Sequence, residues 1–310
     1  MKQETKRISL FLIITFVLTY AAEIGLIWPL VGNRGLGTDV TAQLLTSVMM
    51  FMPAVGVVLT RLLTKEGFQD HYLKWTWNKA NTKYYLFAWV GPAVLTLLGG
   101  AVYFLVFPQR FDFDMSYLIS VYEENGRTME PAALRATILS QMAAAVIFAP
   151  LLNCITCFGE EWGWRGYLLP KMAKKFDLIP LLLINGVIWG LWHAPLTVMG
   201  HNYGTQYFGY PYLGIAAMCI FCVVLGIFFS YVTMKTGSCI PSIIAHGAVN
   251  GFASAVVYFT DNGGNALVGP GITGIVGGFP MIVTSVVLIL MMKKERTLEE
   301  YRGKDLHPDL

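Results

Sequence analysis

Charge is what this sequence has least of. Only 13% of its 310 residues are Asp, Glu, Lys or Arg, against 55% hydrophobic residues and a mean hydropathy of +0.56. A soluble domain carries nearer a quarter charged residues. The shortage, together with apolar runs of about 20 residues, points to an all-α polytopic membrane protein whose first partner is the lipid bilayer. Net charge is also scarce, at +3, and the basic residues gather in loops facing one way. That pattern suits membrane topology and leaves no footprint for nucleic acid. Cysteine is sparse and odd in number, at positions 154, 157, 219, 222 and 239, which argues against a complete disulfide framework. The two C-x-x-C pairs invite a zinc or redox reading, but all five cysteines fall within or at the ends of apolar spans, where Cys acts as a small hydrophobe. Internal repeats, low-complexity tracts and an H-E-x-x-H zinc signature are missing as well.

What is present is a series of apolar segments, at about Ile8–Leu30, Thr41–Leu63, Tyr84–Phe107, Arg135–Phe158, Leu178–Val198, Tyr212–Met234, Cys239–Phe259 and Ile272–Met292. The first is longer than the roughly 7–15-residue core of a secretory signal, so it reads as a retained span. The fourth is expected to continue as helix through the glutamates that follow it. The spacing thus predicts a bundle of about eight transmembrane helices. Of the 22 basic residues, 18 fall before the first span or after the second, fourth, sixth and eighth. Arg34, Arg110, Arg127 and Arg135 are the exceptions. The positive-inside rule makes the basic side cytoplasmic and puts both termini there. A miscounted span would have broken the alternation.

Two connections stand out. Residues 65–85, "KEGFQDHYLKWTWNKANTKYY", mix lysine with Trp and Tyr, as suits a segment on the cytoplasmic interface. Residues 108–130 carry Asp112, Asp114, Glu123, Glu124 and Glu130 and read as a solvated external segment. Neither is long enough for a separate domain, so residues 1–310 read as one integral membrane domain.

The stretch "GEEWGWRGYLLP", 159–170, places three ionisable groups within six residues of an apolar chain. An ionised side chain at mid-membrane costs about 2.5–3.5 kcal/mol on insertion scales, so such groups face the bundle interior and have partners. Glu161 and Arg165 are four apart and share a helix face, where they can form an ion pair. Glu160 lies about 100° round the helix and is left to point elsewhere. Gly159, Gly163 and Gly166 form a third stripe that would let another helix approach closely. Taken alone, the three charges could be only a buried structural salt bridge.

The histidines add weight. His71, His201 and His307 fall in loops or the tail and call for no explanation. His193 lies in the fifth span with Trp189 one turn before it, and His246 lies in the seventh with Asn250 one turn after. With Glu160 they can form a polar cluster across three spans, either as an inert network or as a site. A carboxylate can take a proton from water, with histidine assisting. A histidine N–H and an Asn amide are donors suited to a developing oxyanion. Ser242, four before His246, reads as a packing residue.

At these residues the sequence resembles the CAAX-protease and bacteriocin-processing intramembrane endopeptidases, also called type II CAAX proteases. The resemblance rests on three ordered motifs: Glu-Glu-x-x-x-Arg, here Glu160 to Arg165; an aromatic residue before a histidine, here Trp189 and His193; and His-x-x-x-Asn, here His246 to Asn250. It covers about residues 142–259, the expected catalytic core. The aromatic position is often Phe in this family, and Trp189 is expected to alter packing only. The resemblance implies that Glu160 and His193 activate water, that His246 and Asn250 stabilise the oxyanion, and that Glu161, Arg165 and Trp189 support the site. Family members are called metallopeptidases. Glu160, His193 and His246 could supply three ligands to Zn with a fourth position for water, and a metal-free glutamate mechanism fits the same residues equally.

The function implied is hydrolysis of a peptide or protein substrate, which could be membrane-anchored, near the cytoplasmic membrane face. Two other readings compete. Intramembrane Glu and His also mark proton-coupled transporters, though the paired broken spans and repeats of many transporters are missing. A non-catalytic binding or immunity protein on the same scaffold is opposed by the intact Glu160, His193 and His246.

Overall fold

The computed structural model describes residues 2–32, 36 and 39–306, with side chains through 303. Arg34, His307 and the side chain of Lys304 lie outside the described residues. The described chain is all-α, with isolated bridges in place of strands. The first span is α1 (Lys2–Ala22), a π-helical turn (Glu23–Ile27) and α2 (Trp28–Val31). The second is α3 (Val40–Met49) and α4 (Met52–Leu63), and the third is α5 (Thr82–Val106). A short α6 (Ser116–Glu124) sits in the acidic connection. The fourth span starts as α7 (Pro131–Leu152) and continues as α8 (Cys154–Gly163), a second π turn (Trp164–Leu168) and α9 (Leu169–Ala173). Then come α10 (Leu178–Trp192), α11 (Ala194–Val198), α12 (Tyr212–Thr236), α13 (Ile240–Phe252), α14 (Phe279–Lys294) and α15 (Thr297–Leu306).

Local chemistry sets many of these limits. The Asp39 side chain accepts from the Ala42 amide and caps α3, and Glu130 does the same for α7 through Ala133. Pro131 follows that cap at the first helical position, where its missing N–H is not needed. Gly237, at φ +68°, closes α12 in the left-handed conformation, with its amide on the Thr233 carbonyl.

Among the described residues, six helical segments are long and apolar enough to cross a membrane, and they account for spans one to four, six and seven. The other two are shorter than the sequence suggests. The fifth breaks at His193, where Pro195 opens α11, so α10 has 15 residues. The eighth begins at Phe279, because residues 272–278 form turns that pack against their own neighbours: a Cβ on Gly277 would stand 2.3 Å from the Gly271 carbonyl oxygen. The seventh leaves the α-helix at Phe252 and reaches 259 through turns. Helix α15, which the sequence reading did not foresee, returns along the bundle end, where Arg302 donates to the Ala173 and Phe176 carbonyls.

Helix α12 sits at the centre, against α10, α13 and α14, and α13 is enclosed by α5, α7, α8 and α12. Two of the three stripe glycines do what their spacing implies, whereas Gly166, in the π turn, faces different neighbours: its Cβ would stand 2.7 Å from Trp162 Cδ1 and 3.1 Å from Cys239 Sγ. A Cβ at Gly159 would lie 2.4 Å from the Met50 carbonyl oxygen, and one at Gly163 would lie 2.4 Å from Pro53. The α3–α4 junction therefore presses onto α8 through the Met50–Phe51 backbone and the Pro53 ring, and fixes the depth of the residues that follow.

The basic residues collect at one end. Lys171 pairs with Glu66 and, at 3.3 Å, with Glu4; Arg7 pairs with Glu4 at 2.9 Å; Lys235 reaches Glu295 at 2.8 Å. Arg165 is the exception: it is fully buried in the bundle. The opposite end holds Arg110 on Asp261 and Arg135 on Asp114.

Candidate active site

The α8 helix and its π turn deliver Glu160, Glu161 and Arg165 into the protein interior, all but sealed from solvent. Arg165 Nη1 lies 3.2 Å from Glu161 Oε1, the pair expected from their spacing. Its guanidinium also stacks 4.2 Å from the centre of the Trp189 ring and 5.2 Å from that of Phe229, an arrangement that favours Arg over Lys. Glu161 has a second partner that the sequence did not announce: His246 Nδ1, at 2.9 Å from the same oxygen. Glu161 thus ties α8 to α13 as well as to its own helix.

Glu160 turns the other way. Its Oε2 accepts from the Trp189 indole N–H at 2.8 Å. The substitution at the aromatic position is therefore more than packing, because a phenyl ring has no N–H to offer. His193, at the α10–α11 break, directs Nδ1 to the Trp189 carbonyl at 2.9 Å. Trp189 thus positions Glu160 with its side chain and His193 with its backbone. An Nδ1–H donating to that carbonyl leaves Nε2 as the free ring nitrogen. Asn250, one turn beyond His246 and exposed, donates to Cys157 Sγ at 3.5 Å.

Glu160, His193, His246 and Asn250 all line one cavity of about 300 Å³. Its wall also includes Trp189, Cys222, Asn202 and Thr273. The exposed residues on its rim are Asn202, Asn250 and Ser254. Asn202 follows α11 and Ser254 follows α13, and both helical runs begin at the basic end. The mouth therefore lies towards the end of the bundle away from the lysines.

Two residues that sequence reasoning passed over belong here. His201, set aside as a loop residue, lines the cavity with its ring parallel to that of His193 at 6.0 Å between centroids. The surrounding protein pushes its imidazole down to about 4, because burial disfavours the charged form. Nothing in a loop sequence marks that fold-back. Glu23, in the π turn of the first span, is fully buried, and neither carboxylate oxygen has a hydrogen-bond partner among the described residues. It lies close enough to Glu160 for their charges to interact. Here a signal did exist: a lone acid in the apolar run "TYAAEIGLIWP".

The donor atoms meet only part of what a metal centre needs. Nδ1 of each histidine is engaged by an oxygen, a common outer-shell arrangement around metal-bound imidazoles. However, no three His, Cys, Asp or Glu side chains among the described residues stand together as a metal would need. Glu160, His193 and His246 as placed do not make a ready three-ligand centre. The cysteines are free thiols.

Fold and site define an all-helical integral membrane protein with a polar-lined chamber built from a glutamate, two histidines and an asparagine of three separate spans. Residues 138–252, a little over a third of the chain, match the family described as type II CAAX prenyl endopeptidase Rce1-like, and all three motifs fall within the matched residues. A curated relative, "CAAX prenyl protease 2" of Methanococcus maripaludis, is 28% identical over 92 residues, which is 29% of this chain and 34% of the relative. The match thus spans about a third of that relative's length.

Proposed function

We propose that this protein is an intramembrane endopeptidase in which Glu160 and His193 activate water. The observation that carries this reading is the convergence of Glu160, His193, His246 and Asn250 on one cavity, in a chain whose core matches a prenyl endopeptidase family. Trp189 holds Glu160 Oε2, so Oε1 takes the water proton as the water oxygen adds to the peptide carbonyl carbon. The resulting oxyanion is met by the Asn250 amide and by His246 Nε2–H. Donation from Nε2 while Nδ1 faces Glu161 requires an imidazolium, for which Glu161 is the counter-ion. As the carbon–nitrogen bond breaks, Glu160 returns the proton to the leaving amine, with His193 Nε2 orienting it. No step is routed through a metal.

The substrate is a peptide or protein segment, membrane-anchored or not. The catalytic core extends over about residues 142–259 of a single membrane domain, and both termini are cytoplasmic by the distribution of basic residues. The rim at Asn202 and Ser254 favours entry away from the basic end, not past it, which moves the cleavage site deeper than one near the cytoplasmic face. Comparative peptidomics of membranes carrying the wild-type protein or Glu160→Gln tests the activity. Peptides that disappear with the variant identify substrates, and identical peptidomes refute the reading. Thiol labelling of Asn202→Cys tests the entry side. Labelling by an impermeant reagent from outside is expected, and labelling only from the cytoplasm would reverse it.

A further inference from the structure

His201 lines the catalytic cavity but has no part in the proposed chemistry. The end of α11 carries it there. Gly200, at φ +96°, takes the left-handed conformation; its amide donates to the Thr197 carbonyl at 3.0 Å, and the His201 amide donates to the Leu196 carbonyl at 2.9 Å. That pair of bonds is a helix-ending motif that turns the chain back on itself. Asn202, also left-handed at φ +64°, donates from Nδ2 to Met218 Sδ of α12 at 3.5 Å, and the buried Tyr203 donates its hydroxyl to the Thr273 carbonyl at 3.4 Å. The loop is thus tied down on two sides. It sets His201 beside the exposed Asn202 of the rim, with its ring parallel to that of His193.

The groups given a part in the chemistry each have a partner from the protein. Glu160 has the Trp189 indole, His193 the Trp189 carbonyl, His246 has Glu161, and Asn250 has Cys157. His201 is differently placed. Both its ring nitrogens keep accessible surface, and neither has a hydrogen-bond partner among the described residues. A peptide drawn past the rim towards Glu160 brings backbone N–H and C=O groups out of water, and each needs a partner once enclosed. An imidazole meets that need, since in either charge state it presents at least one N–H.

We propose that His201 is a substrate-binding residue whose ring N–H donates to a peptide carbonyl of the substrate on the mouth side of the scissile bond. This rests on the peptidase reading. The carbonyl lies outside the bond that breaks, so the contact is made on binding and kept through the reaction. Such an interaction lowers KM without raising kcat.

The test uses the purified full-length protein and a library of short internally quenched peptides, from which the peptide cleaved fastest is taken forward. His201→Phe keeps a ring against His193 but has no N–H, whereas His201→Gln keeps a donor. KM is expected to rise about three- to tenfold in His201→Phe, the range for one neutral hydrogen bond, with kcat and melting temperature nearly unchanged. His201→Gln should recover most of the loss. Each amide on the mouth side is also replaced in turn by an ester, whose carbonyl is a weaker acceptor. One such replacement should raise KM for the wild-type protein and leave it unmoved for His201→Phe, a coupling that packing alone does not produce. His201→Leu takes its place if His201→Phe fails to fold. An unchanged KM, a fall in kcat alone, or ester penalties equal in both proteins overturns the proposal. Glu160→Gln is measured alongside. If cleavage survives that substitution, or no peptide is cut, the peptidase reading falls and this inference with it; Glu160-dependent cleavage with KM unmoved by His201→Phe removes His201 alone.

Discussion

Each of the two π-helical turns sets an ionisable group in the interior, and the two groups are treated differently. In the turn after α8, Arg165 is matched: it pairs with Glu161 and rests on two aromatic faces, and Glu161 is itself tied to His246. In the turn after α1, Glu23 has neither hydrogen bond nor ion pair among the described residues, though it is as deeply buried. Breaking a buried pair costs about 3–5 kcal/mol, whereas a buried group without a partner stabilises nothing by its charge. The matched turn is thus a structural clamp. The unmatched one is a polar group carried against stability, beside the glutamate proposed to do chemistry.

Four substitutions probe that contrast. The largest effect is expected from Glu160→Gln, which should lower cleavage by about 10²–10⁴-fold, because an amide cannot take the water proton. Melting temperature should scarcely move. A cleavage assay on purified protein reads the first and a thermal scan the second, and normal turnover would remove Glu160 from the base role. Next comes Glu161→Gln, which strands both Arg165 and His246. A loss of about 3–5 kcal/mol in stability is expected, with activity falling as a result, and a stable but inactive variant would exchange the roles of the two glutamates. Trp189→Phe should be milder. It keeps a ring beneath Arg165 but removes one hydrogen bond to a carboxylate, worth about 1.5–3 kcal/mol. Turnover should fall while the fold survives, and unchanged turnover would reduce the indole to packing.

The smallest effect separates the two turns directly. Glu23→Gln should leave stability unchanged or raise it by about 1 kcal/mol, since no partner is lost. A destabilisation like that of Glu161→Gln would mean that Glu23 has a partner in the membrane after all, and the contrast would collapse.

Much of this was readable from residue spacing. Apolar length located the long spans, and the four-residue intervals placed Glu161 with Arg165 on one face. Spans five and eight resisted for a definite reason: hydropathy registers apolar content, while Pro195 and the 272–278 turns act on backbone geometry. The Glu161–His246 contact joins residues 85 apart, and no periodicity within one helix reports a partner on another. His201 reaches the cavity through a loop fold-back that leaves no periodic trace. Glu23 differs, since its isolation in an apolar run was visible and only its neighbour was not.

The π turn between α8 and α9 also acts as a phase shifter. Bonding from i to i+5 holds one residue more per turn than an α-helix does, and one residue is worth about 100° of rotation. Upstream of the turn, Glu160 lines the cavity it shares with His193 and His246; downstream, Lys171 and Lys174 line a second cavity, at the basic end. Deleting a single residue from 164–168 would let a continuous α-helix form and rotate one set of side chains relative to the other by that angle. Either Glu160 would leave its chamber or the lysines would leave theirs. The extra residue is what allows one helix to serve two chambers, so a loss of length there should be tolerated less well than most single substitutions along the same helix.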